Sequence, residues 1–197
     1  DYDAEEYAAA ASRAKEILPQ LSGEQRPPVI LLAANAHRQL DQQVEALALY
    51  DLLALEFPES QAAEDAGFHR LVSLVAEQDE RSLGQINEFL ASSANLNQRN
   101  KASLLKAEWF FSRDRFAEAA ELYDQTAMAS GTEKYRPDTL YKLAWSRLEE
   151  KKYEEAIEAL TSFVRQYPRH PQVASAYALR AMAQLQTGQQ EGALRDF

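Results

Sequence analysis

Residues 137–170 read PDTLYKLAWSRLEEKKYEEAIEALTSFVRQYPRH, and this stretch decides the fold. Its second half places Tyr153, Ala156, Ile157, Leu160, Phe163 and Val164 at the i, i+3, i+4, i+7 spacing of one helical face. Its first half carries Leu140, Leu143 and Ala144 at the same kind of spacing. The polar run Glu149-Glu150-Lys151-Lys152 separates the halves, and Pro168 ends the second, because proline lacks the amide hydrogen a helix needs. The unit is helix, short turn, helix, breaker. Asp138, Thr139 or the turn at 135–137 sets where its first helix begins.

The same unit recurs in both directions. The small residue near the start of the second helix appears as Ala46, Ala119, Ala156 and Ala193, with room for a further copy at about Leu83 and a leading copy at Ala10. A second column, Ala34, Leu71, Ala107, Ala144 and Ala181, runs at steps of 36 or 37 residues. Ser22, Pro58, Asn95, Gly131 and Pro168 form a column of breakers. Asp41, Gln78, Asp114, Lys151 and Gly188 form a mostly polar column midway, where a short turn separates paired helices. The expected helices are 3–18, 28–40, 43–56, 61–77, 80–94, 98–112, 116–129, 134–150, 153–166, 171–186 and one from 190 onward, about eleven in all.

Composition agrees. The 197 residues include 34 Ala and 25 Leu but only 15 Val, Ile and Thr together, which suits helices and excludes a sandwich, a barrel or a parallel sheet. There is no Cys, hence no disulfide, thiolate nucleophile or Cys-bound zinc. The net charge of −10 is lopsided: residues 1–98 carry 6 basic and 17 acidic side chains, residues 99–197 carry 15 and 14. Such a surface repels phosphate backbones, so nucleic acid is excluded as a partner. The longest strongly apolar run, 29–34, is too short to insert in a membrane.

The register resembles the tetratricopeptide repeat, whose pattern is W-x2-L-G-x2-Y, then A-x3-F, then P. Leu140, Leu143 and Ala144 take the first-helix places, and Tyr153, Ala156, Leu160 and Pro168 take the later ones. Ile30, Ala34, Ala46, Tyr50 and Pro58 match in 28–58; Ala107, Phe110, Phe116, Ala119 and Tyr123 match in 101–131; Tyr177, Ala181, Gly188, Ala193 and Phe197 match in the last stretch. The resemblance implies an all-α, right-handed α-solenoid of stacked antiparallel helix pairs. One array over 1–197 would divide into 1–22 (a second helix, with Tyr7 and Ala10 in place), 28–60, a degenerate 61–97, 98–133, 134–170 and an incomplete 171–197. In the degenerate copy Leu71 and Leu83 replace both small residues. Either that pair is splayed, or the register shifts there and Gly67 or Gly84 supplies the close contact. The period exceeds the usual 34, and the endings Phe57-Pro58-Glu59-Ser60 and Tyr167-Pro168-Arg169-His170 resemble repeats of bacterial envelope proteins of the Tol–Pal coordinator and barrel-assembly lipoprotein type. This favours a periplasmic or envelope location over the cytoplasm. The incomplete first and last copies point to a segment of a longer array.

Enzymatic chemistry finds no support. His37, His69 and His170 are scattered: His37 falls in a large-residue packing column, His69 in the degenerate copy, and His170 in a turn where a solvated side chain is expected. No phosphate-binding loop, dinucleotide fingerprint or nucleophile elbow occurs, so no cofactor or metal is called for. The pairs Glu5–Glu6, Asp79–Glu80, Glu149–Glu150 and Glu154–Glu155 are adjacent, and i, i+1 residues of a helix do not face each other.

The resemblance implies instead a non-catalytic scaffold that holds a protein or peptide in a concave groove lined by first helices. Its positions here are Leu31, Asn35 and Arg38; Leu104, Glu108 and Phe111; Tyr141, Lys142, Trp145 and Leu148; and Ala178, Met182 and Leu185. Trp145 with Tyr141 one turn earlier has the character of a binding anchor, or else Trp145 packs on an adjacent helix. Trp109 points to the preceding pair and is structural. A chaperone-type carboxylate clamp is disfavoured: Asn35 matches, but Leu31 stands where the clamp needs Lys. The alternative function is a structural spacer of an envelope assembly protein that self-associates end to end.

Overall fold

A computed structural model describes residues 2–75 and 81–197; Gln78, Asp79 and Glu80, the end of the helix expected at 61–77 and the start of that at 80–94 lie outside them. The described residues form eleven α-helices and no strand: α1 Tyr2–Ile17, α2 Arg26–Gln39, α3 Gln43–Glu56, α4 Gln61–Val75, α5 Arg81–Ser92, α6 Leu96–Phe111, α7 Phe116–Ala127, α8 Arg136–Glu149, α9 Tyr153–Gln166, α10 Val173–Gln186 and α11 Gln190–Asp196. Short 3-10 turns occur at 18–20, 23–25 and 133–135. The chain forms two compact units, Asp1–Phe89 and Leu90–Phe197.

The turns within pairs share one geometry. Asp41, Asp114, Lys151 and Gly188 all take positive φ, between 57° and 76°. At each, two amides reach back into the helix just ended: Gln42 N to His37 O and Asp41 N to Arg38 O, then Arg115 to Phe110 and Asp114 to Phe111, Lys152 to Arg147 and Lys151 to Leu148, Gln189 to Gln184 and Gly188 to Leu185. This paired 6→1 and 5→2 bonding is the Schellman motif, which satisfies carbonyls left open at a helix end and reverses the chain in about two residues. Three of the four positions are non-glycine, so the turn is held against the left-handed steric cost by the packing of the helices it joins.

Between pairs, the breakers lie outside every helix. Asn95 caps α6 by accepting a hydrogen bond from the Gln98 amide at 3.1 Å. Gly131, at φ 79°, passes so close to Asn97 that a Cβ would lie 2.8 Å from that residue's Cβ, so only glycine fits there. The start of α8 is set by the 3-10 turn Glu133–Tyr135 followed by Pro137 in the first helical turn, with no side-chain cap.

The small columns do what their spacing implies. Ala34, Ala107, Ala144 and Ala181 are fully buried, as are Ala46, Ala119 and Ala156, with Ala193 at 1%. Large residues fill the space beside them. In the first unit Ile30, Tyr50 and Leu53 pack with Ala62 and Ala66, and α4 lies against both α2 and α3. In the second, consecutive helices pack from α6 to α11 around Tyr123, Leu160 and Phe163.

Three expectations need correction. The small buried residue of α5 is Ser82, not Leu83, and Ile86 four places on occupies the Tyr50/Tyr123/Leu160 column with no exposure. Leu71 keeps its own register, since Ser73 two places on is buried like Ala36, Trp109, Ser146 and Ala183. The second-helix register therefore slips by one residue, and neither glycine is required for it: a Cβ on Gly67 would make an ordinary 3.4 Å contact with the Phe89 ring, and Gly84 has nothing within reach. In α1, Ala14 is the buried small residue, whereas Ala10 is half-buried and Tyr7 exposed, because α2 covers a different stripe of that helix. Third, His170 is half-buried rather than solvated: its ring stands edge-on to Phe163 at 5.3 Å.

Candidate functional site

First helices carry side chains at i and i+4 up one face, and in the second unit this stacks a run of rings. Tyr141 and Trp145 on α8 stand at 6.2 Å between centroids. Phe111, at the end of α6, meets Trp145 at 6.3 Å and, on its other sides, Phe116 and Tyr123 of α7. Tyr141 continues to Phe163 of α9 at 5.8 Å, and Phe163 to Tyr167. Most of these contacts are edge-to-face, the arrangement the ring quadrupole favours.

Exposure sorts the members by role. Tyr141 is 7% exposed, so it supports Trp145 from below, while Trp145 itself is 40% exposed. Trp145 is thus a large aromatic held against buried Tyr141 and half-buried Phe111 yet open to solvent. Lys142 pairs with Glu108 across α6 and α8, and its ammonium sits 5.5 Å above the Phe111 ring. Beside Glu108, burial pushes the Tyr123 hydroxyl well above the ordinary phenol range, and the neighbouring carboxylate adds to the shift.

On the far side of Trp145 a cleft of about 280 Å³ opens between α8 and α10, lined by Trp145, Leu148, Tyr153, Leu179, Met182 and Ala183. Met182 and Leu185 are about half exposed. The structure thus brings together Glu108, Phe111, Tyr141, Lys142, Trp145 and Met182. Leu104 is buried in α6. Asn35 and Arg38 belong to the first unit and serve Tyr50: its hydroxyl donates to Asn35 Oδ1 at 2.8 Å, and burial raises its pKa while Arg38 opposes the shift. Sequence reasoning missed Tyr153 and Leu179 as cleft residues. Tyr153 reads as an apolar-column residue of α9, and nothing in the pattern marks that its column borders an opening.

The remaining singled-out residues are accounted for by packing. Trp109 is 7% exposed, with the Arg113 guanidinium 4.0 Å from its ring centroid. His37 Nδ1 lies 2.6 Å from Gln42 Oε1, and His69 stacks on Tyr50. Among the described residues no group of three His, Asp or Glu side chains is placed to hold a metal ion, and no helix is long and apolar enough to cross a membrane.

Known proteins place this geometry. No curated protein matches the chain in sequence. Among solved structures, MamA from strain AMB-1 superposes with a TM-score of 0.65 at 15% identity, over 89% of this chain and 90% of that one. A double mutant of MamA RS-1 gives 0.66 at 14% identity, covering 90% and 93%. A kinesin light chain with nearly identical TPR-like repeats from Podosopora anserina gives 0.60 at 17%, covering 89% and 93%. At these identities the likeness establishes the fold, an all-α tetratricopeptide-like array of helix pairs. The family profile described as YfiO, outer membrane lipoprotein, matches residues 93–197, which is the stretch carrying the ring stack and the Trp145 cleft. The chain therefore belongs to the YfiO family of outer membrane lipoproteins.

Proposed function

We propose that this chain is a non-catalytic protein-interaction scaffold of the bacterial envelope, and that its second unit receives a partner peptide against α6, α8 and α10. The observation that carries this reading is Trp145: exposed, braced by Tyr141 and Phe111, and bordering a mostly apolar cleft that Met182 also lines. A peptide would seat an apolar side chain in the cleft against the indole, while Lys142 and Glu108 fix its register through charge. The partner in this reading is protein, because the surface offered to it is an exposed indole beside a mostly apolar cleft. The family description supports the envelope location.

The test is Trp145→Ala in the intact chain. Proteins cross-linked from a bacterial envelope fraction by the unaltered chain should be lost from the variant, with the far-UV helical signal unchanged. Loss of helical signal would make Trp145 a packing residue. Self-association that rises with concentration in light scattering and survives the substitution would replace this reading with that of a self-assembling spacer.

A further inference from the structure

The first unit carries a second opening, unrelated to Trp145. Where α2 begins and α3 ends, a cleft of about 690 Å³ lies against Pro27, Pro28, Phe57 and Pro58. Its floor is pyrrolidine and phenyl carbon. Three glutamates, Glu24, Glu56 and Glu59, stand exposed around it. The Arg26 guanidinium lies 3.9 Å from Glu56 and 5.9 Å from the Phe57 ring centroid, so it offsets one of the three. Glu24 and Glu59 remain as an uncompensated acidic rim.

A helix N-terminus ordinarily attracts anions through its free amides. Here Pro27 and Pro28 remove two of the four amides of the first turn of α2, and Ser60 Oγ accepts the Ala63 amide at the start of α4. The edge thus offers fewer backbone donors to an anion than an ordinary helix start, and it is rimmed with carboxylates. The second unit supplies an internal control. Counting 110 residues on, the same turn places Lys134, Gln166 and Arg169 where the first has Glu24, Glu56 and Glu59, and Asp138 where it has Pro28. The repeat therefore tolerates either charge at these positions, and the acidic apolar combination belongs to the first unit.

We infer that this cleft docks a basic segment of a partner protein: an apolar or proline-containing core seated on Pro28, Phe57 and Pro58, flanked by lysine or arginine that pair with Glu24 and Glu59. Charge complementarity selects the occupant, and the apolar floor gives it a place to bury.

Fluorescence anisotropy on the intact chain tests this with a labelled peptide whose Leu-Pro-Leu core lies between paired lysines, against the same core between paired glutamates. The lysine peptide should bind and the glutamate peptide should not. Reversing the rim with Glu24→Lys plus Glu59→Arg should weaken the lysine peptide about tenfold. Glu5→Lys plus Glu6→Arg, about three turns away up α1, changes net charge equally and should alter binding less than about twofold. Pro28→Asp should also weaken binding although it adds negative charge, because it removes floor carbon; Trp145→Ala should have no effect. Equal weakening by the two reversal pairs would reduce the effect to net charge and overturn the proposal. So would equal binding of both peptides, absence of binding, or a self-association abolished by the rim reversal, which would make a second copy the occupant. Circular dichroism of each variant confirms that these exposed substitutions leave the helices intact.

Discussion

The Tyr50 and Tyr123 columns hold the same residue at the same place in two units, 73 residues apart, and treat it differently. Tyr50 finds a neutral acceptor in Asn35 and a ring partner in His69. Tyr123 finds Glu108, already paired with Lys142, at the place of Asn35, and the ring of Phe111. The first unit closes its pair with a private hydrogen bond. The second turns the equivalent positions into a charged pair beside Phe111, part of the aromatic stack that ends on exposed Trp145. The backbone repeat is shared and the side-chain contacts are local. The family profile covers 93–197, the stretch that carries this aromatic face.

The largest effect that would break the comparison is Phe163→Ala. Its ring is fully buried and meets Tyr141, Tyr167 and His170. Removing it should cost about 3–5 kcal/mol. Both tryptophans, Trp109 and Trp145, lie in the second unit, so tryptophan fluorescence during denaturant unfolding reads that unit specifically. A midpoint unchanged by fluorescence would show that the ring stack is not what holds the second unit.

A smaller effect separates the tyrosines themselves. Tyr50→Phe leaves Asn35 Oδ1 without its donor and should cost about 1 kcal/mol at neutral pH. Tyr123→Phe should be close to neutral there. At alkaline pH the gap between the two variants widens. A phenol whose pKa is raised on folding lends stability that is full below the unfolded value near 10 and is lost as pH rises beyond it, because the unfolded chain ionises first. Denaturant midpoints followed upward from pH 9 should therefore fall less steeply for Tyr123→Phe than for the unaltered chain. Equal slopes would mean that the Tyr123 hydroxyl is not held in its neutral form.

The smallest effects concern the turns. Gly188 has open space around its Cβ position, so Gly188→Ala tests φ alone and should cost about 1 kcal/mol. Lys151→Gly, at φ 61° in the same motif, should be stabilising by up to about 1 kcal/mol. Thermal unfolding of the two variants should shift in opposite directions; shifts of the same sign would show that the Lys151 side chain, and not its backbone, secures that turn.

Much of the architecture is legible in the chain because a repeat prints its packing rule several times. Alanines at steps of 36 or 37 mark where helices approach, and the mostly polar column midway marks where the short turns fall, since both are short-range requirements repeated in register; that Asp41, Asp114, Lys151 and Gly188 are left-handed comes from the structure. The weakest copy misleads by one residue, with Ser82 where Leu83 is expected, because a slip across one connection leaves both helical patterns intact. Several groove positions are also legible as helix-face positions: Phe111, Lys142 and Trp145 come together as that face implies. Which of them meets solvent is not legible. Tyr141 and Trp145 are both aromatic, one turn apart, and only the packing of Phe163 behind Tyr141 buries one and leaves the other open. The clefts belong to the same class. Met182 with Tyr153, and Pro28 with Phe57, are brought together by the gap left between neighbouring helices, a volume set by long-range packing rather than by local spacing. Sequence alone determined the period, the turns and the charge of each unit; tertiary structure decided which of those residues face a space that a partner could fill.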